Sequence, residues 1–295
     1  MGLKFNEGRA CDAVIRRLER RGGALRERIT RHDLDPDETH RVELTFTING
    51  RLYALEHTGI EPFEGHIQLN NQAPDLTQPL IDLVTPLLPG KEHFELMLPH
   101  DAFRGMKRKD VGAVHAALSE WIQRVGPTLE IGPMHRRLPT MATYVHGVPF
   151  PVQLCRSEPI GGLPRFSLLH VLHGPGLEDH RRERVRRALT RKYPKLAAWK
   201  ASHGARTVLV LEENDIQLTN VQLVAEAVLE AEKTIGEVAD HVYLVMTCSD
   251  PWFAWHLRVD GRTYFDLDDP EERCSEFDPA QLLDLTAPAE PGHAA

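Results

Sequence analysis

Apolar and polar positions change their spacing within the first sixty residues of the chain. Residues 8–29 carry apolar positions at helical spacing, interrupted by two glycines. Residues 41–48 and 52–58 have the composition and alternation of strands, and Asn49-Gly50 between them is the dipeptide most typical of a two-residue hairpin turn. The pattern therefore predicts an opening helix followed by a β-hairpin.

The second half of the chain alternates predicted helices with predicted strands, which is typical of a partly parallel sheet. The predicted elements are a basic helix at 177–192, a short helix after Pro194, a buried strand at 207–211, a helix near 218–233, a strand at 241–247 and a hairpin of 252–258 with 262–266. Between residue 60 and about residue 165 prolines are frequent, and only 109–124 predicts a clear helix.

These patterns predict an α/β fold with a mixed central sheet flanked by helices. We expect residues 1–59 to supply the first helix and the hairpin of the core, and 176–286 to supply the basic helix and the C-terminal α/β part. Residues 60–175 are expected to form a large insertion or lobe, and 287–295 a disordered tail.

Composition excludes several classes of protein. The 295 residues are 41% hydrophobic, which is enough for a core, yet no run of eighteen apolar residues occurs and the N-terminus is charged. We therefore expect a cytoplasmic protein with no membrane partner. The four cysteines show no CxxC spacing, which argues against a zinc knuckle or a disulfide scaffold.

The net charge of −8 gives no general attraction for nucleic acid, so such binding would need a local basic patch. One such patch occurs between residues 181 and 200, where Glu183 is the only acid. Its basic members are Arg181, Arg182, Arg184, Arg186, Arg187, Arg191, Lys192, Lys195 and Lys200.

The predicted hairpin sets two glutamates opposite each other. A two-residue Asn-Gly turn pairs residues whose numbers sum to 99, so one side carries Phe46 with Tyr53 and the other side carries Glu43 with Glu56. Val42 should share the apolar side with Phe46. Like charges directly opposite in a sheet are unfavourable by about 0.2–1 kcal/mol, and a bound ion would relieve this.

A divalent cation is one explanation for the glutamate pair, because Mg²⁺ prefers one or two carboxylates together with waters and phosphate oxygens. The alternative is that the pair lies at an exposed rim or is neutralised by Arg41 or by a basic side chain of the following helix. Spacing alone leaves both interpretations open.

A first helix, a hairpin with an acid on one strand and Glu-x-(Lys) on the next, a basic helix and a buried strand together resemble the PD-(D/E)XK, or restriction-endonuclease-like, nuclease superfamily. The resemblance covers residues 8–58 and 177–212. It implies that Glu43 and Glu56 bind Mg²⁺ or Mn²⁺ and that a lysine helps to activate the attacking water.

The chain departs from the family motif at two positions. Val42-Glu43 stands in place of Pro-Asp, and Thr58 stands where the motif lysine is expected. Some family members take this lysine from the following helix, so the resemblance assigns the role to Lys192 or Lys195. The literal Pro36-Asp37 upstream is an alternative first acid.

The function implied is metal-dependent hydrolysis of DNA or RNA, with Arg184, Arg187 and Arg191 contacting phosphates. The alternative is a catalytically degenerate module that binds nucleic acid or a protein. A third hypothesis is a small-molecule enzyme, because Glu212, Glu213 and Asp215 follow the buried strand, and ligands gather at the carboxyl ends of strands. The aromatic residues Trp252, Phe253, Trp255 and Tyr264 could form a packed sheet or a stacking surface for bases.

Overall fold

The computed structural model describes residues 5–32, 42–61, 65–99, 101–133, 140–159, 161–162, 164–171, 177–214 and 220–287. The chain divides into two compact units. We call Leu3–Glu64 with Gly176–Ala295 the core unit and Gly65–Pro175 the inserted unit. The boundaries expected from the sequence were 59/60 and 175/176.

The described elements follow in chain order. The first part of the core unit contains α1 (Glu7–Gly22), β1 (Glu27–Arg31), β2 (Leu44–Ile48) and β3 (Arg51–Gly59). The inserted unit contains α2 (His66–Val84), β4 (His93–Pro99), α3 (Arg108–Val125), β5 (Thr143–Tyr144), β6 (Pro151–Ser157) and β7 (Phe166–Val171). The second part of the core unit contains α4 (Leu177–His203), β8 (Arg206–Glu213), α5 (Val221–Ile235), β9 (His241–Met246), β10 (Trp252–Val259), β11 (Arg262–Thr263), α6 (Pro270–Arg273) and β12 (Cys274–Phe277).

The sheet of the core unit has the strand order β1-β2-β3-β8-β9-β10-β11, and β12 pairs with β10. β3, β8 and β9 are parallel, whereas β1, β2 and β3 form an antiparallel meander. Helices α4 and α5 precede β8 and β9 as their crossover connections. The α/β class with a mixed, helix-flanked sheet is confirmed.

The hairpin turn forms as its sequence predicts. Asn49 and Gly50 both have positive φ, 52° and 72°, the conformation that a two-residue turn of this type requires and that Asn-Gly adopts most readily. The pairing runs from Ile48 with Arg51 to Leu44 with Leu55, so the predicted register is confirmed.

The two faces of this sheet bury separate sets of side chains. Helix α1 covers the face that carries Leu44, Phe46, Leu55 and Val208. Helices α4 and α5 cover the opposite face, whose buried members include Val42, Ala54, Leu209, Leu211 and Leu244. Burial of each such side chain contributes about 1.5–3 kcal/mol, so the sheet is stabilised from both sides.

Val42 is on the α4 side, not on the side of Phe46 as predicted. Residue 43 forms a bend and β2 begins only at Leu44, so the alternation of the strand does not extend back to residue 42. Arg41 lies outside the described residues.

The inserted unit has a four-stranded sheet of order β5-β6-β4-β7, which the sequence did not predict. β4 is antiparallel to β6 and parallel to β7. Leu80 of α2 and Leu118 of α3 share its core with Phe94 and Leu96 of β4.

Helix α4 is continuous from Leu177 to His203, whereas the sequence predicted a break before Pro194. Proline inside a helix costs about 3 kcal/mol. Pro194 itself is exposed, while Leu189, Tyr193 and Leu196 are almost fully buried, so core packing on both sides outweighs that cost.

Within the described ranges, no helix combines the length and the apolar character that crossing a bilayer requires.

Gly8→Ala should lower the free energy of unfolding of the core unit by about 1–3 kcal/mol, the usual cost of overpacking. A Cβ at Gly8 would lie 2.0 Å from Asp284 Oδ1 and 2.6 Å from the Leu285 amide nitrogen, and the latter is backbone that cannot rotate away. Denaturant unfolding followed by tryptophan fluorescence reports this unit, because it holds Trp199, Trp252 and Trp255.

The control is Gly112→Ala in the second turn of α3, where a Cβ meets no described atom within 4 Å. Gly112 belongs to the inserted unit, whose unfolding Trp121 reports. This change should leave stability unchanged or raise it by up to about 1 kcal/mol. Equal effects of the two substitutions would contradict the close approach of the 284–286 backbone to α1.

Candidate active site

Glu43 and Glu56 lie side by side at the open end of the hairpin. The last paired residues are Leu44 and Leu55, so both glutamates stand one step beyond the described β2–β3 pairing. Glu56 belongs to β3 and its side chain is fully buried, whereas the side chain of Glu43 is 17% exposed. The cross-strand proximity predicted from the turn is therefore present in the structure.

The ammonium group of Lys192 lies between the two carboxylates. Its Nζ donates to Glu43 Oε1 at 2.6 Å and also to Glu56 Oε2. Lys195, one helical turn further along α4, places its Nζ 3.3 Å from Glu56 Oε1. We call this arrangement of Lys192 with Glu43 and Glu56 the lysine bridge.

The electrostatics of the lysine bridge are those of a partly desolvated ion pair. Burial raises the pKa of the Glu43 carboxyl, against the lowering effect of Lys192. Burial alone would lower the pKa of Lys192, but the charges and hydrogen bonds of Glu43 and Glu56 outweigh it and hold that pKa above the ordinary lysine value. Lys192 therefore stays protonated at neutral pH.

A row of buried apolar side chains on α4 explains why a buried lysine reaches this position. The helix packs in the core through Val185, Leu189, Tyr193 and Leu196. Lys192 lies on the same side of the helix and is therefore buried beside them. A buried lysine is tolerated only with charged partners, and the two glutamates supply them.

Of the three arginines assigned to phosphate contacts, Arg191 is the sequence neighbour of Lys192 on α4. Its Nη2 donates to Thr58 Oγ1 at 3.0 Å, at the position where the family motif has lysine. At 3.6 residues per turn, Arg184, Arg191 and Lys195 fall on one stripe of α4. Arg187 stands beside this stripe, is 64% exposed and pairs with Glu183 at 2.7 Å.

His57 points to the α1 side of the sheet, opposite to Glu56, as predicted. Its Nε2 lies 2.9 Å from Glu212 Oε2, and both side chains are buried. The Glu212 carboxylate also accepts hydrogen bonds from the backbone N–H of Asn6, at 2.8 and 3.0 Å, and from Thr247 Oγ1, at 2.9 Å. These contacts fix both side chains.

Glu43 makes contacts with residues on both faces of this end of the sheet. Its Oε1 faces Lys192, and its Oε2 accepts a hydrogen bond from the backbone amide of His57. Ligand atoms of Glu7, Glu43 and His57 all lie within 4.8 Å of one another, a separation that suits a shared metal ion.

Comparison with known proteins identifies no relative of this chain. No family model, curated protein or solved structure matches the chain significantly. The interpretation of the site therefore depends on its own residues.

Sequence reasoning missed Glu7 and separated Glu212 from the hairpin glutamates. An acid in the first turn of a helix is common for electrostatic reasons alone, so Glu7 carried no distinct signal. Glu212 was assigned to a separate acidic cluster. Parallel pairing places it beside Gly59 at the carboxyl end of β3, so it belongs to the same site.

The remaining candidates do not join this site in the described structure. Pro36-Asp37 and Asp215 lie outside the described residues. Glu213 is 2% exposed and pairs with Met246 of β9, one residue beyond the last residue pair of β3 and β8. Trp252 is buried in the core beneath α1, so this member of the aromatic group belongs to a packed sheet.

The Cys11 thiol is buried beside the site, and burial raises its pKa well above the ordinary value, so it is not a thiolate nucleophile.

Lys192→Met should lower the free energy of unfolding by about 3–5 kcal/mol, because it leaves Glu56 buried without its main counter-charge. Adding Glu56→Gln to this variant should recover part of the loss, since the uncompensated charge is then removed. A double-mutant cycle in denaturant measures both effects.

Lys200→Met is the matched control, because Lys200 lies on the same helix and pairs with Asp240 at 2.7 Å but is 51% exposed. It should cost no more than about 1 kcal/mol. If Lys192→Met cost no more than this control, the lysine bridge would not be a buried ion pair in solution.

Proposed function

We propose that the core unit hydrolyses phosphodiester bonds of nucleic acid, DNA or RNA, with a divalent cation, Mg²⁺ or Mn²⁺, bound at the carboxylates of Glu43 and Glu56. The observation that carries this proposal is the lysine bridge. Lys192 brings an ammonium group to the acid pair, and this chain has Thr58 at the position where the PD-(D/E)XK motif has lysine.

The order of elements supports the same proposal. Helix α1, the β2–β3 hairpin, the basic helix α4 and the buried strand β8 follow one another as the resemblance to restriction-endonuclease-like nucleases expects. We propose that these elements form a restriction-endonuclease-like core, and that the inserted unit is an addition to it.

The donor set fits a divalent ion. Two carboxylates converge on one ammonium group, so this position favours positive charge, and Mg²⁺ or Mn²⁺ accepts such oxygen ligands readily. A bound ion would supply charge neutralisation for the phosphate and lower the pKa of the attacking water.

The other residues have separate roles in this proposal. Glu43 and Glu56 would hold the ion, and Lys192 would remain adjacent to their carboxylates and orient the attacking water. Lys195 contacts the far oxygen of Glu56 and is the second candidate for this cationic role. The stripe of Arg184 and Arg191 on α4, with Arg187 beside it, would contact the phosphates on either side of the cleaved bond.

A second candidate function is supported by the same contacts. Lys192 and Lys195 neutralise Glu56 within the protein, so the group could be a structural ion pair in a module that binds nucleic acid or a protein without cleaving it. The two functions differ in their need for metal.

Purified protein should cleave plasmid, single-stranded DNA or RNA in Mn²⁺ or Mg²⁺ and should stop when the metal is chelated. Glu43→Gln and Lys192→Met should each reduce the cleavage rate at least about 100-fold, because they remove a metal ligand and the cation beside it. Gel assays of all three substrates measure this effect, with circular dichroism to verify the fold of each variant.

The control is Glu272→Gln, which changes an exposed glutamate that pairs with Arg262 on the same unit. It should cleave at the wild-type rate. A wild-type protein that cleaves none of the three substrates in either metal would contradict the enzyme proposal and favour the binding module.

Neutralising Arg184, Arg187 and Arg191 together to glutamine should weaken nucleic-acid binding and flatten its salt dependence. Each lost phosphate contact lowers the slope of log K against log salt by about 0.7–0.9. Fluorescence anisotropy at several salt concentrations measures the slope without requiring cleavage.

The control with the same change in charge neutralises the exposed Arg28, Arg51 and Lys233, which lie on other elements. It should leave most of the slope intact. Equal loss in both triple variants would mean that the net charge of the unit attracts nucleic acid and that α4 is not its contact surface.

A further inference from the structure

The side of Glu43 that faces away from Glu56 gathers a second set of donors. One carboxylate oxygen of Glu7, one of Glu43 and one ring nitrogen of His57 lie within 4.8 Å of one another. Two ligands of one ion are at most about 4.4 Å apart, twice a bond of about 2.2 Å, so adjustments of a few tenths of an ångström would complete a site.

The orientation of His57 is the independent observation that indicates a ligand. Its side chain is 5% exposed, and its Nε2 meets the buried Glu212 carboxylate at 2.9 Å. Because Glu212 is an acceptor for Asn6 and Thr247 as well, Nε2 is the donor and Nδ1 keeps its lone pair. Metal-binding histidines are commonly held in this way by a carboxylate behind them.

Within the described parts of the chain, the ring of His57 forms its hydrogen bond through Nε2, and Nδ1 forms none. The histidine is thus buried, held by its other nitrogen and adjacent to two carboxylates. One imidazole and two carboxylates form a mixed nitrogen and oxygen donor set. Imidazole suits first-row transition metals, whereas Mg²⁺ and Ca²⁺ prefer oxygen alone.

We propose that Glu7, Glu43 and His57 form a divalent transition-metal site, with Glu212 as the carboxylate that orients His57, and that this site binds Mn²⁺ and Zn²⁺ in preference to Mg²⁺. Glu43 is common to this site and to the lysine bridge. An ion held on this side leaves Lys192 in its observed contacts with Glu43 and Glu56.

This inference stands apart from the proposed nuclease activity, because a metal site can exist with or without cleavage. If both hold, the ion and Lys192 would approach the same phosphate from the two sides of Glu43.

Isothermal titration of the full chain, stripped of metal by a chelator and dialysed, tests the site with Mg²⁺, Mn²⁺ and Zn²⁺ separately. Wild type should bind Mn²⁺ and Zn²⁺ at least about 10-fold more tightly than Mg²⁺, following the order of divalent metals for nitrogen-containing sites. Glu7→Gln and His57→Asn should each weaken Mn²⁺ binding by about 10–100-fold. Thermal melting with and without Mn²⁺ provides a second readout, since a ligand that binds only the folded state raises the melting temperature.

His256→Asn is the matched control, because His256 is also buried in the core unit and also held through one ring nitrogen, which contacts the Glu272 carbonyl at 2.7 Å. It should bind Mn²⁺ as wild type does. Glu7→Gln keeps the test decisive if His57→Asn does not fold, since Glu7 is only half-buried in the first turn of α1.

Equal affinity for Mg²⁺ and Mn²⁺, or unchanged Mn²⁺ binding in Glu7→Gln, would overturn the inference. Selective Mn²⁺ binding that Glu7→Gln weakens, in a protein that cleaves no nucleic acid, would support the site and contradict the nuclease.

Discussion

The contact of one buried ammonium group with two carboxylates determines the character of this end of the sheet. Lys192 comes from α4, Glu56 from β3 and Glu43 from the bend before β2, so three separate parts of the core unit meet at one charge. Removing Lys192 leaves negative charge uncompensated in a largely buried position, which is among the most destabilising changes that a protein interior can suffer. The geometry of the site is thus linked to the stability of the fold.

The alternation of side chains along β3 places different groups on the two faces of the sheet near Glu43. Residues of even number on β3, such as Ala54 and Glu56, face α4, whereas Leu55 and His57 face α1. The α4 side is a cationic environment and the α1 side is a nitrogen and oxygen donor environment. Glu43 precedes the strand, so the alternation does not confine it to one face.

The parts of the structure that could be predicted were those with a local cause. The Asn49-Gly50 turn fixed the register and hence the proximity of Glu43 and Glu56, because such a turn allows only one pairing. Helical periodicity similarly located α1 and α5, and the side chain of Asn220 caps α5.

The parts that could not be predicted depend on contacts between distant segments. The contact between Glu212 and His57 requires β3 and β8 to be parallel neighbours in one register. No local sequence pattern encodes that register. Strand β1 has exposed positions over most of its length, so it lacks the apolar alternation that would have revealed it. The continuity of α4 through Pro194 likewise depends on tertiary packing that local propensity does not report.

Anomalous diffraction from crystals grown with Mn²⁺ tests most directly whether this end of the sheet is a metal-dependent centre. The account predicts a manganese peak within ligand distance of the Glu43 carboxylate, about 2.0–2.2 Å for ions of this kind, with the Lys192 ammonium still adjacent to that carboxylate. Crystals that bind manganese elsewhere, with Lys192 as the sole cation at Glu43, would show that the lysine bridge is a structural ion pair and would contradict the account.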